Sequence, residues 1–500
     1  MGWGCSCMLR SPRRTISATE REMENGACNG NDDSARRQPH AAMLATPRMG
    51  HLIPLAELAK RLVARHGVRT TLLTFASMAS ATQREFLAAL PAGIEWVSLP
   101  PVDLSDLPPD TTVETLMSEE CVRSVPALTG ILARLGETTD LVAFVADLFG
   151  ADSFDAAHDA GVPRRYLFYP GNLHSLTLSL SLPELDVSIP GEFRDLAEPV
   201  RLPGCVPIPG QDIPAPLQDK SNPGYKWMVH HCKRYRDADA ILVNSFQAVE
   251  PDAAKAMRVP KPGRPPVYTI GPLIKTNAAP RAAPCLDWLD RQPSKSVVFV
   301  SFGSGGALPM EQMRELALGL ELSGQRFLWV VRSPSGDDGA AVNGNYYDAE
   351  SKKDPFVYLP EGFVERTKDV GLLVISWAPQ TEVLAHHATS AFVTHCGWNS
   401  VLESLQHSVP MVAWPLYAEQ RLNAVMLADG VGAALRLPES KGKDDIAAVV
   451  REVVEGKGRG AVVRANVAEL QEAATDGLRH GAAAAALAEV VDKWTAGRSM

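Results

Sequence analysis

Residues 390–405 restrict the fold of this chain more than any other stretch. Ser390-Ala391-Phe392-Val393-Thr394 has the length and apolar content of a buried strand, and Val401, Leu402 and Leu405 recur at helical spacing. The joint between them, His395-Cys396-Gly397-Trp398-Asn399-Ser400, is a tight strand-to-helix turn of the kind from which open α/β sheets are built. Gly397 permits the turn, while Asn399 and Ser400 stand where free backbone N–H groups and small polar side chains face an anion. The turn reads as a phosphate seat, and His395 at its entrance can donate a hydrogen bond to the same oxygens.

A second unit of the same kind lies just upstream. The strand Leu372-Leu373-Val374-Ile375 runs to Trp377, and Pro379 fits the first turn of a helix carrying Val383 and Leu384. An indole at the C-terminal end of a strand, where open sheets bind their ligands, suits stacking on a flat heterocycle. Glu403 falls one helical turn beyond Ser400, and Pro415-Leu416-Tyr417-Ala418-Glu419-Gln420 closes another strand with an acid and an amide. Both groups suit sugar hydroxyls.

Taken together, residues 377–420 (WAPQTEVLAHHATSAFVTHCGWNSVLESLQHSVPMVAWPLYAEQ) resemble the signature box of plant secondary-product UDP-glycosyltransferases, family 1 enzymes of the GT-B fold. A box of this length is very specific. The resemblance implies an α/β chain of two Rossmann-like doubly wound domains facing across a cleft. It also implies uracil stacking on Trp377 with backbone contacts from Ala378, ribose bonds from Gln380 and Glu403, and diphosphate held by His395, Gly397, Asn399 and Ser400. Sugar hydroxyls fall to Trp398, Glu419 and Gln420, and a terminal Gln is associated in the family with glucose rather than galactose. The insertion at residues 333–355 and the following Leu359-Pro360-Glu361-Gly362-Phe363 look like the hydroquinone (phenol) glucosyltransferase group.

Strand-and-helix alternation continues on both sides of the box. Ala41 to Ala45 reads as a first strand, Thr46-Pro47-Arg48-Met49-Gly50-His51 as a turn, and Ile53, Leu55, Leu58, Leu62 and Val63 as the apolar stripe of a helix closed by Gly67. Strands at 70–75, 141–146, 165–169 and 241–246 follow, and seven prolines between Pro260 and Pro284 mark a linker. The expected organisation is a disordered extension (1–39), an acceptor-binding Rossmann-like domain (40–259), a linker (260–290), a UDP-sugar-binding Rossmann-like domain (291–475), and a C-terminal helix (476–500) packing back on the first domain. Met1-Gly2 with Ser6 has the form of a myristoylation signal, but Met23 is expected to be the usual start, with 1–22 an upstream extension.

Sugar transfer to a hydroxyl needs a base for the acceptor and stabilisation of the departing nucleoside diphosphate. His51 is the candidate base, at the ligand edge of the first strand, with Asp147 at the end of a strand on the same edge to fix its tautomer. Asp147-Leu148-Phe149 resembles the family segment that pairs with the matching Gly-His turn, and Leu148 and Phe149 are expected to line the acceptor pocket. The pocket should also draw on a helix at 116–128, the loop at 169–174 and residues 182–189. On the donor side, Ser301-Phe302-Gly303-Ser304-Gly305-Gly306 lies between a strand and a helix. Leu308 holds the place of the third glycine of a dinucleotide fingerprint, which disfavours a nicotinamide oxidoreductase. By resemblance the loop is the second lip of the diphosphate site, with Ser304 on the β-phosphate.

The function expected is an inverting UDP-dependent glucosyltransferase that moves glucose from UDP-glucose to a hydroxyl of a small phenolic acceptor, giving a β-glucoside without a metal or other cofactor. The alternative is a weak or inactive homologue that only binds UDP-sugar and phenolics. His386-His387 is read as structural, and Asp237-Ala238-Asp239 as the end of a helix and not a metal-binding pair of acids. Arg48 and Ser408 stand where the family usually has glycine, so a positive φ at Ser408 is expected to be strained and Arg48 to narrow the acceptor mouth or contact phosphate. A formal charge of −9, 49 basic against 58 acidic residues, with no clustered basic face, argues against nucleic acid as the main partner. No run of 18 apolar residues predicts a membrane span. Eight cysteines without zinc spacing suit the reduced thiols of a cytoplasmic chain, expected to be a monomer.

Overall fold

The computed structural model describes residues 38–76, 80–275, 283–334, 354–479 and 481–496. The N-terminal extension through residue 37, with Met1-Gly2 and Met23, and most of the 333–355 insertion lie outside them.

Two parallel sheets organise the described chain. The first has seven strands in the order β3-β2-β1-β4-β5-β6-β7. These are β1 (Pro39–Leu44), β2 (Arg69–Phe75), β3 (Ile94–Leu99), β4 (Asp140–Asp147), β5 (Arg165–Tyr169), β6 (Ala240–Val243) and β7 (Val267–Thr269). The second has six in the order β10-β9-β8-β11-β12-β13. They are β8 (Val297–Ser301), β9 (Arg326–Val331), β10 (Gly371–Ile375), β11 (Thr389–Thr394), β12 (Met411–Ala413) and β13 (Ala434–Arg436). The central strands β1, β4, β8 and β11 are buried almost throughout because helices cover both faces, which is why they read as continuous apolar runs. In each sheet the strand order reverses beside the first strand, β1 against β4 and β8 against β11, and a doubly wound sheet opens its ligand crevice there.

Two features depart from the sequence reading. The 260–290 segment contains β7, which pairs with β6 at Ile241↔Val267, and the helix Pro284–Asp290. A three-residue edge strand is too short to show a period, and an edge tolerates the flanking prolines. The expected 116–128 helix is two, Val113–Arg123 and Val125–Thr138, because Pro126 cannot continue the first and instead opens the second. The last helix, Ala482–Thr495, sets Leu487, Val490, Val491 and Trp494 into the core beneath β1 and β4. No helix among the described residues is long and apolar enough to cross a membrane, and the five described cysteines are free thiols.

Candidate active site

The strand-to-helix turns of both sheets open toward one cleft. At the first, Arg48 takes φ 120, and its carbonyl accepts the N–H groups of His51 and Leu52, starting the helix Met49–His66 with His51 in its first turn. Asp147 ends the neighbouring β4, and the β1/β4 register sets Leu44 beside Ala146, so the two residues meet at one sheet edge. Asp147 is fully buried; one carboxylate oxygen takes the N–H of Leu148 and the other lies 2.9 Å from His51 Nδ1. Burial pulls the imidazole pKa down, but the adjacent Asp147 charge and hydrogen bond outweigh it, so His51 titrates above the ordinary imidazole value. Phe149 packs edge-on to His51 at 6.0 Å between ring centroids, and Leu148 is half-buried beside it. Behind Phe149, His231 is neutral, its pKa driven down to about 3 by burial.

The facing turns come from the second sheet. His395, just past β11, has its Nε2 between two glycines: a Cβ on Gly303 would lie 2.6 Å from it and one on Gly397 2.5 Å. Burial and the neighbouring Arg332 guanidinium lower its pKa to about 4, so the ring is neutral, and its buried Nδ1 has no partner. That leaves hydrogen-bonding capacity beside the N-terminus of helix Trp398–Gln406, capped by Gly397, where an anion fits. Asn399 donates to the Gly50 carbonyl at 2.8 Å, and Ser400 receives Gln380 Nε2 at 2.8 Å. The same amide reaches Glu403 Oε2 at 2.8 Å, so Gln380, Ser400 and Glu403 form one cluster. Trp377 is 57% exposed beside buried Ala378 and offers an open indole face, while Ser304 is exposed on the glycine loop.

At the sugar end the side chains divide. Gln420 accepts the N–H groups of Leu416 and Tyr417 at 2.9 and 3.0 Å, which leaves its NH2 group. The Trp398 indole N–H is committed to the Asn244 carbonyl at 2.7 Å, so that side chain locks the two halves together and has no donor left for a sugar. Glu419 is half-buried, and burial raises its pKa against the pull of its own N–H, the Asn423 amide and His51.

His174, in the loop assigned to the acceptor pocket, is buried and bonded to Glu250 Oε1 at 2.8 Å and to the Val206 N–H, which makes it structural. Asp237 pairs with Arg234 at 3.0 Å, and Asp239 accepts the Arg165 N–H at 2.7 Å. His386 and His387, read as structural, lie past the end of helix Gln380–Ala385, and their rings are 4.6 Å apart with Asp290 as a third neighbour. His386 Nδ1 accepts the Ala388 N–H, so Nε2 carries the proton and donates it to Asp290 at 3.1 Å. Sequence reasoning missed Arg332, whose guanidinium grips the carbonyls of Gly303, Gly306 and Ser376 and so ties the glycine loop to the turn before Trp377. It also missed the buried pair Asn172 and Asn423. Neither has a local spacing that would mark it.

Residues 252–472 match the family model described as UDP-glucoronosyl and UDP-glucosyl transferase. The chain is 48% identical over 465 residues to a hydroquinone glucosyltransferase of Rauvolfia serpentina, covering 91% of this chain and 98% of that one. It is equally 48% identical over 469 residues to UDP-glycosyltransferase 72B3 of Arabidopsis thaliana, covering 92% and 96%. Among solved structures, a Polygonum tinctorium UDP-glucosyltransferase capable of glucosylating indoxyl superposes with a TM-score of 0.84 at 43% identity, covering 92% of this chain and 99% of that one. Phytolacca americana UGT2, complexed with UDP-2-fluoro-glucose and pterostilbene, gives the same TM-score and identity, covering 91% and 100%. A likeness of this extent, carried on a cleft edged by the turns described above, means that the chain belongs to the plant family 1 UDP-glycosyltransferases of the GT-B fold, near the hydroquinone glucosyltransferase group.

Proposed function

We propose that this glycosyltransferase moves glucose from UDP-glucose to a hydroxyl of a small phenolic acceptor and inverts the anomeric centre to give a β-glucoside. The single observation that carries the reading is the 2.9 Å contact between His51 Nδ1 and buried Asp147. Asp147 holds the proton on Nδ1 and leaves Nε2 as the base, and the imidazolium that forms on proton uptake is stabilised by the carboxylate. The acceptor oxygen, losing its proton to Nε2, attacks the anomeric carbon from the face opposite UDP, and one displacement breaks the bond to the β-phosphate oxygen. Trp377 stacks the uracil, Ala378 contacts it through its backbone, and Gln380 and Glu403 take the ribose. The diphosphate sits on Ser304, neutral His395 and the Gly397-Trp398-Asn399-Ser400 turn, where helix-terminal N–H groups meet the charge that develops on departure. Glu419 and Gln420 bind hexose hydroxyls. Leu148 and Phe149 wall the acceptor beside His51.

The names of the relatives support a phenolic acceptor, since one is a hydroquinone glucosyltransferase and one solved neighbour holds pterostilbene. The binding-only alternative lacks an observation in its favour, because both members of the proposed dyad are present and in contact. Incubation with UDP-glucose and hydroquinone, read by UDP release and by the anomeric proton coupling of the product, tests the proposal. A β-glucoside is expected. An α-linked product or no UDP release sinks it.

A further inference from the structure

Three residues without glycine's freedom adopt left-handed backbone in the loops that follow β10, β11 and β12: Ser376 (φ 65), Cys396 (φ 64) and Ala418 (φ 51). Each has its carbonyl held in place. Arg332 grips Ser376 at 2.8 Å, the N–H of Ala215 reaches Ala418 at 2.9 Å, and Asn423 Nδ2 reaches Cys396 at 2.9 Å. Asn423 does more than this. Its Nδ2 also lies 3.3 Å from Glu419 Oε1, and its Oδ1 accepts from Asn172 Nδ2 at 2.6 Å, a residue 251 positions earlier in the chain. Both asparagines are wholly buried.

The sense of every bond in this relay is determined. The N–H of Ser175 can only donate, and as Asn172 caps the helix Leu173–Ser188 its Oδ1 accepts that N–H at 2.8 Å. Asn172 therefore turns its NH2 to residue 423, which must answer with oxygen. Asn423 is left presenting its own NH2 to a carbonyl and a carboxylate, two groups that accept.

We infer that Asn423 is a positioning residue for the donor site, with the sense of its amide set across the cleft by Asn172. The inference rests on the proposed role of Glu419 as the acid that binds a hexose hydroxyl. Asn423 keeps the Glu419 carboxylate as an acceptor and pins the Cys396 carbonyl, and with it the turn that begins at His395. The groups facing Glu419 are His51, the Tyr169 phenol, the N–H of Trp398 and the Asn423 amide. Burial favours its protonated form, and the Asn423 amide is one of the donors that oppose this. Losing that donor raises the Glu419 pKa further, so the ionised form disappears at a higher pH than in the parent.

Two isosteric variants of the full chain test this. Asn423→Asp replaces the donor by oxygen. Asn172→Asp leaves residue 423 untouched but offers it oxygen, so Asn423 must turn its NH2 toward residue 172 and its oxygen toward Glu419. Calorimetric affinities for UDP-glucose and for UDP, which lacks the hexose, are measured across pH. Both variants are expected to weaken UDP-glucose about tenfold relative to UDP, and to begin losing that preference at a higher pH than the parent. A purely structural role would lower the melting temperature while leaving the preference and its pH dependence unmoved, and that result overturns the inference. Glu419→Gln separates the two layers. If it keeps the parental preference for UDP-glucose, the role of Glu419 fails; if it loses the preference while both asparagine variants keep it, only the present inference fails.

Discussion

The carbonyl oxygen of Gly50 accepts the side-chain amide of Asn399 across 2.8 Å. Gly50 lies in the first turn of its helix, and the residue four positions on, which would ordinarily donate to that carbonyl, is Pro54, with no N–H to give. A proline within a helix thus frees an acceptor one residue before His51, and the turn of the donor half takes it. The two faces of the cleft are tied beside the proposed base, His51.

Restoring the helical donor should loosen that tie. Pro54→Ala gives Gly50 a competing partner without removing any group from the cleft, and we expect the KM for UDP-glucose to rise by about two- to fivefold, the scale of one neutral hydrogen bond. Asn399→Ala in the same background should then cost less than it does alone. Fully additive effects in steady-state kinetics would show that the contact does not matter.

Because Asp147 raises the pKa of His51, the neutral imidazole that the proposed base requires forms only above the ordinary imidazole range, and kcat/KM should climb with pH through a limb on that side. In Asp147→Asn the charge that favours imidazolium is gone, so the limb moves to lower pH while the plateau falls by about 10²- to 10⁴-fold. His51→Ala should lose a similar factor and the limb itself. A limb that stays in place in Asp147→Asn would assign it to another group.

Gly303 and Gly397 flank His395 so closely that neither has room for a methyl group. Gly397 has an ordinary φ of −61, so Gly397→Ala strains no backbone and tests the space alone. The imidazole, buried between both glycines, has nowhere to retreat. We expect UDP affinity to drop by about tenfold or more. Unchanged affinity by calorimetry would mean that the ring does not help to seat the diphosphate.

Ser408 holds a positive φ of 54, as expected, and Arg48 holds one of 120. Val409 N–H bonds to Ser404 and Ser408 N–H to Leu405, the paired contacts of a helix ending in a left-handed residue. Ser408→Gly keeps those bonds and removes the side-chain clash, and it should stabilise the protein by about 1 kcal/mol in chemical denaturation. Arg48→Gly should likewise stabilise it, and should also change relative rates on a panel of phenols, since residue 48 begins the helix that carries His51. Loss of stability in Ser408→Gly, or identical rates in Arg48→Gly, would contradict these expectations.

Much of the architecture was legible because its causes are local. Continuous apolar runs announced β1, β4, β8 and β11, and Gly67 closes its helix in left-handed conformation where the periodicity ended. The run from Ser390 to Leu405 was likewise enough to mark one strand-to-helix turn, with Gly397 at the helix N-cap. What the chain alone determined is therefore the set of strand-end turns and the residue types each presents. The three-residue β7 inside a proline-rich stretch was beyond reach, since it is an element only by virtue of its neighbour β6. The tertiary structure decided which groups remain available: the Trp398 indole is taken by Asn244, while Arg332, Asn172 and Asn423 hold loops distant in sequence. A hydrogen bond between residues 251 positions apart imposes no period on the sequence, so only the folded geometry reveals it.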